Sequence, residues 1–135
     1  MYSNIDGSYN DAFGVNALFN NTSGNSNIAV GNHTLFSNTT GDNNIAIGVG
    51  ALDSSTTGGS NIGIGANAFN NLISGNNNTA LGTSIGTNLI SGSNNILIGY
   101  NAELLTTLTS NQITIGNGSI IHFAVMFRQL QVYLI

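Results

Sequence analysis

Three groups of residues in this chain have the types and spacing that could do chemistry. Gly48-Val49-Gly50 follows the apolar run Ile45-Ala46-Ile47, and Asp53 lies just beyond. That is how a glycine-rich, phosphate-cradling turn of a dinucleotide-binding unit begins. His33 and His122, taken with Asp42 and Asp53, are the side chains from which a nucleophile–base pair, a metal site or a paired-carboxylate site would be assembled. Thr39-Thr40 and Thr56-Thr57, with Thr22 seventeen residues earlier, would line up as a threonine array of the kind that binds ice.

Each of these readings lacks a part. The third glycine of G-x-G-x-x-G is missing, and no helical pattern of adequate length follows Gly50. The two histidines have no carboxylate recurring beside them, and Asp42 and Asp53 have no repeating acidic partner. A calcium-binding roll needs an aspartate in every short repeat, and the chain does not supply one. The threonine array is interrupted where Ile73 and Ile90 take its place. The expectation is no catalytic residue, no cofactor and no metal.

Composition narrows the field further. Only 4% of the 135 residues are charged: Arg128 stands against Asp6, Asp11, Asp42, Asp53 and Glu103, with a net charge of -4. No set of basic side chains could neutralise phosphates, which argues against nucleic acid and against anionic membrane surfaces. In place of charge the chain has 24 Asn and 18 Gly, yet 41% of residues are hydrophobic, enough for a buried core. With no Cys there is no disulfide and no thiolate metal site. The polar opening "MYSNIDGSYN" shows no secretory leader.

What the residues do have is a period. Rows of seventeen run "DAFGVNALFNNTSGNSN" from Asp11, "IAVGNHTLFSNTTGDNN" from Ile28, "IAIGVGALDSSTTGGSN" from Ile45, "IGIGANAFNNLISGNNN" from Ile62, "TALGTSIGTNLISGSNN" from Thr79 and "ILIGYNAELLTTLTSNQ" from Ile96, and a seventh opens with "ITIGNGS" at Ile113. No insertion is needed. The fourth position is always glycine: Gly14, Gly31, Gly48, Gly65, Gly82, Gly99 and Gly116. The fourteenth is glycine in five rows (Gly24, Gly41, Gly58, Gly75, Gly92), and the seventeenth is Asn10, Asn27, Asn44, Asn61, Asn78, Asn95 and then Gln112. Positions one to three alternate large, small, large, which reads as a short strand.

A row this short buries nothing alone, so rows must stack. The expected fold is all-β: a parallel β-solenoid of about seven 17-residue coils, a rod on the order of 34 Å long at about 4.8 Å per coil. In it the fourth-position glycines are corner residues and the row-end amides form a ladder along the axis. Val30, Ile47, Ile64, Leu81, Ile98 and Ile115, with the first-position isoleucines such as Ile28, Ile45 and Ile62, are expected to fill the core. The small second residues Ala29, Ala46, Gly63 and Ala80 are expected to face a neighbouring surface. Stacked like charges about 5 Å apart would be unfavourable, which accounts for the missing charge. Gly50 falls at the sixth position, held elsewhere by Asn16, His33, Asn67, Ser84 and Asn101, and so reads as a coil corner.

The chain divides into a partial N-terminal coil at 1–10, the repeat domain at 11–119 and an apolar tail at 120–135. The tail, "IIHFAVMFRQLQVYLI", is too short and too interrupted by Arg128 and its glutamines for a membrane span, and reads as a capping or oligomerisation segment.

Rows of the form N-x-A-I-G-x-x-A-L/F…T-G-x-N-N, over residues 5–118, resemble the head repeats of trimeric autotransporter adhesins and the similar repeats of phage and viral tail-fibre proteins. The resemblance implies a left-handed β-roll, association as a homotrimer, and adhesion to a host-surface protein or glycan from an extracellular, cell-surface or virion location. The rows are longer than the short adhesin-head repeat, and no charged neck, coiled-coil stalk or membrane anchor follows. The competing expectation is a self-assembling filament subunit that stacks coils end to end, and a third is an ice-binding solenoid.

Overall fold

In the computed structural model, which describes residues 2–117, seven three-residue strands lie in one parallel sheet in sequence order. They are β1 (Asp11–Phe13), β2 (Ile28–Val30), β3 (Ile45–Ile47), β4 (Ile62–Ile64), β5 (Thr79–Leu81), β6 (Ile96–Ile98) and β7 (Ile113–Ile115). Each pairs with the next in seventeen-residue register, as in Ile28↔Ile45, Ala29↔Ala46 and Val30↔Ile47. The chain is a parallel β-solenoid, and the row is its coil. The tail at 120–135, and His122 within it, lies outside the described residues.

Every coil leaves its strand at the fourth-position glycine, whose φ is between 82° and 147° along the whole column. The chain then returns through a second wall that is also bonded coil to coil. Leu18 N donates to Thr34 O at 3.0 Å, Leu35 N to Ala51 O at 3.1 Å and Leu52 N to Ala68 O at 2.9 Å.

The inward side of the strands is the reverse of the sequence expectation. Val30, Ile47, Leu81, Ile98 and Ile115 are 37–49% exposed, Ile64 is half-buried, and the first-position isoleucines are half-buried or exposed with them. Ala29, Ala46, Gly63, Ala80 and Leu97 are the strand positions that are buried. The reason is phase. The row-end asparagines from Asn27 to Asn95 are wholly buried, and a strand alternates with period two, so inward Asn44 sets Ile45 outward, Ala46 inward and Ile47 outward. From β2 to β5 the inward residue is small because the opposite wall is close: a Cβ added at Gly63 would lie 3.2 Å from Leu52 Cγ, whereas the larger Leu97 of β6 lies beside Gly86, where a Cβ would come within 3.3 Å of Leu97 Cδ2.

The core is therefore narrow, built from the second-position alanines against the seventh and eighth positions Ala17-Leu18, Ala51-Leu52 and Ala68-Phe69, with Leu72 and Leu89 beside them. Leu18, Leu35, Leu52 and Phe69 are fully buried with φ of 48–52°, the left-handed region. That conformation costs a non-glycine residue about 1–2 kcal/mol. Full burial of the side chain contributes about 1.5–3 kcal/mol, so burial wins.

Coil five carries Gly86 at this position, and Phe69 explains it: a Cβ on Gly86 would come within 2.4 Å of Phe69 Cδ1 and Cε1. The large ring of one coil takes the side-chain space of the next. Gly86→Leu alone is expected to destabilise the roll by about 2–3 kcal/mol through overpacking, and Phe69→Leu alone by about 1–2 kcal/mol through a cavity. The double variant restores the leucine column and is expected to recover most of the loss, leaving the 3.3 Å approach of a residue-86 Cβ to Leu97 Cδ2. Urea unfolding midpoints of the four chains measure the coupling.

Candidate functional site

The row-end amides are where the coil register is enforced. Asn44 N and Nδ2 both donate to Asn27 Oδ1, at 2.9 and 3.1 Å, and Asn44 Nδ2 also donates to Gly58 O at 2.8 Å. The main-chain bond recurs from Asn27 to Gln112, each N–H lying 2.9–3.0 Å from the amide oxygen one coil earlier. The amide nitrogens of Asn10 to Asn95 reach the fourteenth-position carbonyl of the following coil at 2.7–2.8 Å. These side chains are spent on structure. A second cause of the asparagine content lies at the sixth and sixteenth positions. Asn16, Asn67 and Asn101, and Asn43, Asn77, Asn94 and Asn111, hold φ of 53–61°, which asparagine tolerates better than most residues.

The residues first considered for chemistry fall into this frame. Gly50, with φ 67°, stands at the corner that Asn16, His33, Asn67, Ser84 and Asn101 adopt with side chains present. It is a corner and not half of a phosphate-binding turn. Thr22, Thr39 and Thr56 donate their hydroxyls to the carbonyls of Thr39, Thr56 and Ile73, at 2.9–3.2 Å. Among the described residues there is no group of three side chains able to hold a metal.

The structure brings His33 and Asp53 together, which the row positions alone did not suggest. Tyr2, Phe19 and Phe36 share the ninth position and stack with ring centroids 5.0 and 5.5 Å apart. His33 stacks on Phe36 at 4.7 Å, Asn16 Nδ2 lies 3.0 Å from its Nε2, and Asp53 occupies the next rung of the same column. Burial raises the Asp53 pKa above its ordinary 3.8, and the positive charge of His33 opposes the rise less strongly. A carboxyl whose folded pKa is raised stabilises the fold fully at low pH and loses that contribution as pH climbs from 3.8 through the folded value. Asp53→Asn is accordingly expected to leave the melting temperature unchanged below that window and to raise it slightly above. Melting curves from pH 3 to 8 test the sign.

Glu103 was not singled out by its spacing. It stands at the eighth position, where other coils carry Leu, Phe or Gly, and its carboxylate accepts from Thr87 N at 3.1 Å and Asn88 N at 3.0 Å, with Thr87 Oγ1 also against it. These partners are sixteen and fifteen residues away, so the coil slips locally by one residue around it.

Two surfaces remain for function. One is the outer face of the sheet, where the third position makes an unbroken column of Val, Ile and Leu from β2 to β7 and the first position a parallel column of Ile interrupted only by Thr79. At about 4.8 Å per step this is a flat aliphatic strip on the order of 25 Å long. The other is the polar turn face of positions thirteen to sixteen, rich in hydroxyls and amides. A mainly apolar groove also lies around Ile73 and Ile90. The chain matches no protein-family model, no curated protein and no solved structure.

Proposed function

We propose that this protein is a non-enzymatic structural and adhesive module of a surface appendage or tail fibre. Its copies associate through the aliphatic face of the sheet, and their polar turns are displayed for multivalent attachment to a host-surface protein or glycan. The observation that carries the reading is the outward double column headed by Val30, Ile47, Leu81 and Ile98. Contiguous apolar surface of this kind marks an interaction site. Burying it between copies removes it from water, and repeated weak contacts on several copies then add by avidity. The number three comes from the resemblance to adhesin heads, which also supplies the extracellular setting.

Light scattering over a dilution series tests this. The parent chain is expected to hold a constant mass of three chains, and Ile47→Asn with Leu81→Asn is expected to yield a folded monomer by circular dichroism. A parent that is monomeric throughout overturns the reading. A mass that grows with concentration replaces it with the end-to-end filament.

A further inference from the structure

The fifteenth row position carries a second ladder, and it is broken at one rung. Here each main-chain N–H donates to the side chain one coil later: Ser8 N to Asn25 Oδ1 at 2.9 Å, Asn25 N to Asp42 Oδ1 at 2.6 Å, Gly59 N to Asn76 Oδ1 at 2.8 Å, Asn76 N to Ser93 Oγ at 3.0 Å and Ser93 N to Ser110 Oγ at 2.9 Å. Asp42 N would be next in this series, but the residue one coil later is Gly59, which has no side chain to accept. Asp42 Oδ1 is occupied by Asn25 N and Nδ2, while its Oδ2 has no hydrogen-bond partner among the described residues.

The missing rung opens a hollow of about 510 Å³ on the turn face, lined by Thr40, Asp42, Asn43, Thr57, Ser60 and Asn76 around Gly59. One main-chain donor, one carboxylate oxygen and a set of hydroxyls and amides converge on it. We propose that this hollow binds the vicinal hydroxyls of an uncharged glycan. Asp42 Oδ2 accepts from one sugar hydroxyl, and Asp42 N–H donates to its neighbour. Thr40 and Thr57, one coil apart, and Ser60 bond the flanking positions. Asp42 is the only charged group lining the hollow, so sialylated, uronic or sulfated sugars are repelled. The lining offers no aromatic ring for a sugar face to stack on, so a single site binds weakly, in the millimolar range typical of a few exposed hydrogen bonds. The inference rests on the display reading above and names its ligand class.

The variant that tests it is built into the repeat. Asn25 and Asn76 hold the same position and Gly59 has no left-handed φ; a Cβ there would lie 3.2 Å from Asp42 O, a tight contact that Gly59→Asn relieves with a shift of a few tenths of an ångström in the exposed turn. Its amide oxygen would accept from Asp42 N and its side chain would fill the hollow. Amide NMR shifts of the full chain are followed against methyl hexosides and against a sialylated trisaccharide. The parent is expected to show saturable shifts confined to residues 40–43, 57–60 and 76–77 with the neutral sugars and none with the sialylated one. Gly59→Asn is expected to weaken this at least about tenfold while keeping the parent's mass and melting temperature. No saturable shift with any neutral sugar, or equal binding by Gly59→Asn, overturns the proposal. Stronger shifts with the sialylated sugar overturn it as well. A trimer that binds no hexoside sinks the hollow alone, and a monomer that binds one sinks only the display reading.

Discussion

Gly65→Val is expected to remove more than about 4 kcal/mol of stability, enough to unfold a chain of ordinary marginal stability at 37 °C. Gly65 has φ +129°, which only glycine adopts at low cost, and a Cβ there would lie 2.1 Å from Gly82 O and 2.5 Å from Gly82 C. Neither contact can be relieved by turning a side chain, because both atoms are main chain of the next coil. That coil would have to move, and it is held in register by the sheet on one side and by the amide ladder on the other. Gly65→Ala is expected to cost nearly as much, since the clash begins at Cβ. Gly59→Ala, on the turn face with no left-handed φ and a nearest approach of 3.2 Å, is the control expected to fall within about 1 kcal/mol of the parent. Thermal melts of the three variants separate corner strain from the general cost of losing a glycine.

Asn61→Ala is expected to cost about 3–5 kcal/mol. Asn61 is fully buried at the middle of the ladder. Its Oδ1 accepts from Asn78 N at 3.0 Å and from Asn78 Nδ2 at 3.1 Å, and its Nδ2 donates to Gly75 O at 2.7 Å. Alanine deletes all three bonds and leaves partners in the interior where water cannot replace them. The loss lies mostly in those orphaned groups and less in the bonds themselves, because a buried donor left alone costs about 1–3 kcal/mol. Asn61→Asp is no rescue: it keeps the two acceptor bonds but sets a carboxylate oxygen against Gly75 O. Asn67→Ala, an exposed corner residue in the next coil, is expected to cost only the left-handed strain of about 1 kcal/mol. Hydrogen exchange should show the Asn61→Ala defect concentrated at Asn78.

The same two columns show why so much of this fold was legible from residue order. A seventeen-residue period without insertions forces equal row positions to stack, so a glycine that recurs at position four must serve a corner. An amide that recurs at position seventeen must meet its own kind. The reading of Gly50 as a corner follows from the same rule, and the φ values at Asn16, His33 and Asn67 show the conformation it shares. Features outside the repeat were not legible. Asp53 and His33 occupy different row positions, and their proximity depends on how far position six leans toward position nine across a coil step. Gly86 departs from the leucine column at the eighth position, and Phe69 of the preceding coil fills its space.

Sequence by itself determined the coil, its register, the corner glycines, the amide ladder and the exclusion of repeated charge, because each depends only on what must lie above what. The tertiary structure alone decided which side of each strand faces in. Period-two alternation supplies two faces and does not say which is buried, and hydrophobic size pointed to the wrong one. The width of the interior settles that choice, and width belongs to both walls together: Leu52 approaches the strand so closely that only Gly63 or an alanine fits opposite. The isoleucines are thereby turned to the surface, where they are available to a partner.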